Sequence, residues 1–232
     1  MSISRRATLA WVAGAVAVGA LASPWLLDHA NTPADPHAPP NWPKLDLPPV
    51  TARGYGSDPN LVEPSVPWPL TMTPAQRAQA KFLAGIILPA DDHSPSAADL
   101  PIDAFIDEWI SAPYPQQQED RTLILEGLAW LDIESKARFG GDFAHATPAQ
   151  RAALFDDIAW QGRIKPGLEK PAHFFDRLRS LVMGGYYSLP EGMKDIGYLG
   201  NAPATQWPGP PDEAIAQLNA ALSGLGLPPQ KT

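Results

Sequence analysis

Asp91-Asp92-His93, close behind Pro89, is the one compact group in this 232-residue sequence whose side chains could ligate a metal ion. Two carboxylates and an imidazole are donors that a divalent cation takes. The same three residues at a helix exit also form an ordinary solvated turn, with aspartate accepting from nearby backbone amides. That turn is the expected reading. The five histidines, His29, His37, His93, His145 and His173, include no pair at the i, i+4 spacing of a helical zinc site. Glu126, Asp132 and Glu134 invite a paired-carboxylate acid–base reading. Spread along an amphipathic helix, they are expected instead to be its polar face. Ser188 and Ser223 lack the turn context of an activated nucleophile. No glycine-rich loop follows a strand to cradle phosphates. No cysteine is present, which excludes disulfides, iron–sulfur clusters, covalently attached haem and thiolate zinc sites on this chain. No catalytic, cofactor-binding or metal-ligating residue is assigned from the sequence.

The N-terminus carries chemistry of another kind. In MSISRRATLAWVAGAVAVGALASP, Arg5 and Arg6 precede a weakly apolar run that ends in Ala20-Leu21-Ala22, a small-x-small pattern suited to signal peptidase. Ser4-Arg5-Arg6 with Leu9 is similar to a twin-arginine export signal, an address used by proteins that cross the membrane already folded. Residues 1–22 are read as that signal, with two alternatives open. The arginines can be the basic start of a general secretory signal. The stretch from Leu9 to Leu27 approaches the ~20 residues that span a bilayer and can be retained as an anchor. Each alternative places the body of the protein outside the cytoplasm.

Charge narrows the partners. The chain has 17 Lys+Arg against 25 Asp+Glu, a net charge of -8. Loss of Arg5 and Arg6 with the signal leaves 15 against 25, or -10. Nucleic acid and anionic lipid surfaces call for clustered cations, so neither is expected as a partner.

Residues 23–70 read as a long extended arm, with 12 prolines in 48 positions. Proline fixes φ and removes a backbone donor, so neither a helix nor a central strand is expected there. Trp25, Trp42, Tyr55 and Trp68 stud the arm, with Leu45, Leu47, Val50, Leu61 and Val62 between them. Linkers avoid such residues, and a stiff arm with aromatic anchors loses little entropy when it lies on a surface. The arm is therefore expected to wrap a partner.

From residue 71 the pattern is helical. Thr73-Pro74-Ala75-Gln76 opens a first helix with a capping box, and Phe82, Leu83, Ile86 and Ile87 make its stripe. LPIDAFIDEWI gives a second helix, and residues 117–139 a third that stops at Gly140-Gly141. Thr147-Pro148-Ala149-Gln150-Arg151-Ala152 repeats Thr73–Ala78 letter for letter and opens a fourth. A fifth spans about 172–183. After an irregular segment, DEAIAQLNAALSGL forms a last short helix. The fold class is all-α: a small bundle of five or six helices over residues 71–201, with a C-terminal tail over 202–232. Tyr186, Tyr187, Tyr198 and Trp207 fall in the Gly- and Pro-rich segment, expected to be free of helix, where they either fold back on the domain or form an interface patch. Together with Trp25, Trp42, Tyr55 and Trp68 they are the candidate partner interface.

Three segments then add up to a resemblance. LAGIILPADDHSPSAADLPIDAFIDEW, GLAWLDIESKARFGGDFAHATPAQRAALFDDIA and FFDRLRSLVMGGYYSLPEGMKDIGYLGN together resemble the gluconate 2-dehydrogenase subunit 3 family, across roughly residues 73–201. The resemblance implies a small, non-catalytic subunit of a periplasmic dehydrogenase at the outer face of the bacterial inner membrane. It implies a large FAD-dependent partner of the glucose-methanol-choline oxidoreductase type, which oxidises a sugar or sugar acid. A multihaem cytochrome c subunit completes some such complexes, so FAD and haem c belong to the partners and not to this chain. It further implies that the large subunit, lacking a signal, crosses the membrane bound to the small one, which would explain an address for folded cargo on a chain without a cofactor site. The rival readings are a stand-alone periplasmic metal-dependent enzyme using Asp91, Asp92 and His93, and a membrane-anchored scaffold without a redox partner.

Overall fold

Capping boxes set the starts of two of the described helices. The computed structural model describes residues 38–56, 60, 62–198, 200 and 209–229. Helix α1, Pro74–Ile87, begins where the Thr73 side chain accepts from the Gln76 amide while Gln76 reaches back to Thr73. Helices α2 (Ile102–Ser111) and α3 (Pro115–Phe139) follow, and α3 ends at Gly140 in a left-handed conformation, φ 81. Helix α4, Pro148–Ile158, repeats the capping box with Thr147 and Gln150. Helix α5 spans Glu169–Tyr187, α6 Pro190–Asp195 and α7 Asp212–Gly224. Short 3-10 turns lie at Ala97–Asp99, Phe143–His145 and Gln161–Arg163. Among the described residues there are seven α-helices and no strand.

Two expectations change here. Tyr186 and Tyr187 lie inside α5 rather than in a helix-free segment, and residues 190–195 form the additional helix α6. Gly184-Gly185 does not break α5, and Gly185 lets α2 come close: a Cβ there would stand 2.8 Å from the Phe105 ring of α2. Leu189 and Pro190 then restart the chain as a helix with proline at its first position.

The described residues up to Gly197 form one compact unit, and those from Tyr198 onward another. In the first, α3 packs against α2 and α5, and α1 against α2. Trp130, Phe143, Phe174 and Tyr186 are fully buried at its centre. Aromatic rings run through it in edge and tilted contacts: Phe82 to Phe143 at 6.2 Å, Phe143 to Phe155 at 5.6 Å, and Phe155 to Phe175 at 5.1 Å. This run ties α1, the 143–145 turn, α4 and α5 into one core. Gly127 of α3 leaves room for Phe174 of α5: an added Cβ would sit 2.0 Å from the Phe174 ring. Gly127→Ala is expected to destabilise the fold by roughly 1–3 kcal/mol, the usual cost of overpacking, despite alanine's better helix propensity. Thermal denaturation checks this; a variant that melts at or above wild type would contradict it.

One ion-pair hub bears on acid stability. Asp157 of α4 accepts from Arg138 Nη1 of α3 at 2.7 Å and contacts Lys165 Nζ at 2.5 Å. Burial works to raise the Asp157 carboxyl, but hydrogen bonds from Lys165 and Arg138 outweigh it and hold the group below its ordinary value of 3.8. A folded-state value below the unfolded one gives stability that is complete above about pH 4 and lost as pH falls through the depressed value. Asp157→Asn is expected to cost about 1 kcal/mol at neutral pH and to flatten the acid limb of the stability–pH curve. Urea melts at a series of pH values check both.

Candidate functional site

The described part of the N-terminal arm lies on the chain's own helices. Between residues 44 and 48 exposure alternates: Lys44, Asp46 and Pro48 face out, while Leu45 and Leu47 pack on the core. An extended backbone places successive side chains on opposite sides, so every second residue anchors. The polar contacts are more specific. Trp42 Nε1 donates to Glu126 Oε2 at 2.7 Å, and the Leu45 amide donates to Glu126 Oε1 at 3.2 Å. Lys170 Nζ stands 3.5 Å from the same carboxylate and over the Trp42 ring. The Trp42 ring stacks on Trp130 at 6.0 Å. Asn41 bridges Trp130 and Glu134: its amide donates to Glu134 Oε2 at 2.5 Å and its Oδ1 accepts from Trp130 Nε1 at 3.3 Å.

Further along, Arg121 of α3 holds two distant points of the arm. Its Nη1 donates to the Pro48 carbonyl at 2.7 Å and its Nε to Thr71 Oγ1 at 3.2 Å. The guanidinium is buried, and that burial pushes its pKa below the ordinary arginine value. Asp107 of α2, 1% exposed, takes the arm's end: Oδ1 accepts from the Thr71 and Met72 amides at 3.1 and 3.0 Å and from Ser111 Oγ at 3.1 Å. Buried polar groups paired in this way fix one docking geometry, since any shift strands a donor or acceptor away from water.

This corrects two expectations. The arm, expected to wrap a partner, is bound over residues 38–56 and at 68–72 to α2, α3 and α5 of its own chain. Glu126, expected on a polar face, is 4% exposed beneath that arm. Glu134 likewise serves Asn41 and Arg138, and Asp132 accepts from the Phe143 amide at 3.0 Å, closing the turn after α3. All three carboxylates are structural acceptors.

The other candidates divide by exposure. Trp68 is buried, with Nε1 donating to the Glu108 carbonyl at 3.1 Å. Tyr55 stands edge-on to Trp68 at 4.8 Å, and Tyr114, 5.9 Å from Trp68, accepts from the Tyr55 amide at 2.9 Å. Tyr55 keeps 38% of its surface exposed and its hydroxyl donates to Glu108 at 3.3 Å. Partial burial first, then the Glu108 carboxylate, raises the Tyr55 phenol. Tyr186 is fully buried, its hydroxyl donating to the Pro95 carbonyl at 2.9 Å. Tyr187 is half-buried and donates to Asp195 Oδ2 at 3.2 Å. Tyr198 is 56% exposed and belongs to the C-terminal unit. Arg5, Arg6, Trp25 and Trp207 lie outside the described residues, as does the stretch from Leu9 to Leu27. Among the described residues no helix is long and apolar enough to cross a membrane.

Asp91, Asp92 and His93 are exposed, and the Asp91 carboxylate accepts from the His93 and Ser94 amides, both at 2.9 Å. That is the aspartate-capped turn expected at a helix exit. Ser94 Oγ in turn donates to Asp195 at 2.5 Å, joining this loop to α6, 101 residues downstream. Among the described residues no three metal-ligating side chains converge. A shallow depression of about 410 Å³ is lined by Leu70, Met72, Pro74, Arg77, Asp103 and Asp107. Within it Arg77 donates to Asp103 through Nε and Nη2 at 3.0 and 2.7 Å.

Sequence reading missed Glu126, Arg121, Asp107 and Tyr114 as arm anchors. The first of these left a signal: in Leu123–Leu131 a single acid stands among apolar residues, which marks a buried acceptor in want of donors.

With the helices and their exits in place, the segment from α1 through α6 matches the family model for gluconate 2-dehydrogenase subunit 3 over residues 74–209. The chain belongs to the gluconate 2-dehydrogenase subunit 3 family. No curated protein and no solved structure matches it. The subunit 3 match leaves out both α7 and the residues before Pro74, the arm among them. The arm nonetheless completes the buried core of the subunit 3 body, through Trp42, Trp68 and Met72.

Proposed function

We propose that this chain is the non-catalytic small subunit of a periplasmic, membrane-associated dehydrogenase. The catalytic work falls to a large FAD-dependent partner of the glucose-methanol-choline type, acting on a sugar, sugar acid or polyol; some complexes of this kind add a multihaem cytochrome c subunit. The family match over residues 74–209 carries this reading, because the family is named as a dehydrogenase subunit. The twin-arginine-like Ser4-Arg5-Arg6 supports a second role: the small subunit supplies the export address for a partner that must fold around FAD in the cytoplasm. Binding to the folded flavoprotein also stabilises it by mass action. Of the aromatic candidates, Tyr55 and Tyr198 keep exposed ring surface available for such contact.

The test is co-expression with the flavoprotein chain, followed by cell fractionation. With wild type, flavin and sugar-dependent dye reduction are expected in the periplasmic and membrane fractions. With Arg5→Lys and Arg6→Lys together, both are expected to remain in the cytoplasm. Export unaffected by that double change would remove the address role, and sugar oxidation by the small subunit alone would remove the accessory reading altogether.

A further inference from the structure

Two acids of α2 line the shallow depression beside the end of the arm, and neither is fully used. Asp103 and Asp107 stand four residues apart, so both carboxylates lie on one face of the helix. Arg77 serves Asp103 twice but through one oxygen, with Nε and Nη2 both donating to Oδ2. Asp107 shows the same division more sharply. Its Oδ1 accepts from the Thr71 and Met72 amides and from Ser111 Oγ, three donors on a single atom. Among the described residues no donor and no cation reaches Asp107 Oδ2 or Asp103 Oδ1. Yet Asp107 is only 1% exposed, and what it does expose opens on the depression. Arg121 communicates with Asp107 only through hydroxyls: its Nε donates to Thr71 Oγ1, which lies 2.8 Å from Ser111 Oγ. Buried acceptors are almost always met by a donor, so one left open at a surface depression marks where a donor arrives from outside the chain. Charge carries the same message, with two carboxylates in the lining against one guanidinium, Arg77. The other lining residues, Leu70, Met72, Pro74 and Ala78, are apolar.

We infer that this depression is a socket for an arginine side chain of the flavoprotein subunit. The inference rests on the functional reading above and adds the point of contact. Charge complementarity selects a cation, because an anion or a neutral acceptor would face two carboxylates. The two open oxygens belong to residues one helical turn apart, which suits a guanidinium, whose five donors diverge in one plane. Its methylene stem finds apolar cover on Pro74 and on Leu70, 50% exposed. Shallowness argues for a protein side chain over a free amine. Small-molecule sites enclose most of their ligand, whereas a docked protein brings its own cover to an anchor residue. Leu70 and Met72 come from the end of the arm, and the Thr71 and Met72 amides hold Asp107 in place. The socket is therefore complete only on a chain whose arm is seated.

The experiment measures capture of the co-expressed flavoprotein, read as bound flavin, beside the melting temperature of each subunit variant. Asp107→Asn keeps an oxygen for Thr71, Met72 and Ser111 and turns only the open position into a donor. It is expected to melt near wild type and to weaken capture about 30-fold, the loss of one charge-assisted bond at a buried site. Capture by wild type should also fall more steeply with added salt than capture by Asp107→Asn. Asp103→Asn, which keeps an acceptor for Arg77, is expected to weaken capture about fivefold. Glu191→Gln, an exposed acid on α6, is expected to stay within about twofold. If Asp107→Asn melts early, Asp103→Asn carries the test, and its unchanged capture would overturn the inference. Unchanged capture by a stably folded Asp107→Asn, or equal damage from Glu191→Gln, would overturn it while leaving the functional reading intact. So would micromolar agmatine that raises the melting temperature of wild type but not of Asp107→Asn, since the depression would then be a small-amine site. A wild-type subunit that captures no flavoprotein would overturn both.

Discussion

Removing residues 1–70 is expected to yield a chain that fails to reach its native state, not a trimmed but folded small subunit. Trp42, Leu45, Leu47 and Trp68 all pack on the helical body, and Trp68 is only 6% exposed. At roughly 1–2 kcal/mol for each buried or half-buried side chain, they contribute on the order of 5 kcal/mol together. That matches the lower end of the 5–15 kcal/mol by which domains are typically stable. Their loss also uncovers Trp130, whose ring the arm's Trp42 stacks upon. The truncated chain should bind hydrophobic dyes, lose near-ultraviolet circular dichroism and melt without cooperativity. Trp42→Ala with Trp68→Ala in the full chain should move the same observables part of the way, whereas Lys44→Ala and Asp46→Ala, both facing solvent, should not move them. A cooperative melt near the wild-type midpoint from the truncated chain would show that the arm is dispensable.

Glu126→Ala is expected to be strongly destabilising although it removes no apolar side chain. It strands the Trp42 indole donor and the Leu45 amide together, and leaves Lys170 without its carboxylate. Orphaned buried donors cost about 1–3 kcal/mol each, and the Lys170 contact at 3.5 Å adds less, so a loss of about 3 kcal/mol is expected. For a chain of this size that lowers the melting temperature by about 6–12 °C. A double-mutant cycle with Trp42→Phe separates the indole bond from the rest. The phenylalanine variant loses the same donor, so the two changes should be far from additive. Additive effects would place the cost of Glu126→Ala elsewhere.

Local signals and remote partners explain what could be read in advance. The capping boxes at Thr73 and Thr147 are complete within four residues, so the starts of α1 and α4 were legible to the residue. The arm's tryptophans were legible as anchors, because nothing in a solvated linker favours them. Their destination was not, because Trp42 meets its acceptor 84 positions away and Asn41 meets Glu134 at 93. No local pattern distinguishes a surface on the same chain from one on another. Tyr186 misled for the opposite reason. Gly184-Gly185 looks like a break, but Gly185 is small because Phe105 presses against it, a fact that lives in the packing of α2 on α5. The Asp91 turn was legible because its acceptor and donors lie within three residues.

The arm's distant anchors also impose an order in time. Asn41 and Trp42 leave the ribosome early, but Glu126 and Glu134 follow 84 and 93 residues later, and Lys170 later still. At about 5–20 residues per second, that interval is on the order of 5–20 s during which the nascent N-terminal segment has nowhere to settle. Asn41 and Trp42 thus become fixed only after the middle of the chain has been made. A settled arm therefore reports that synthesis has passed α3.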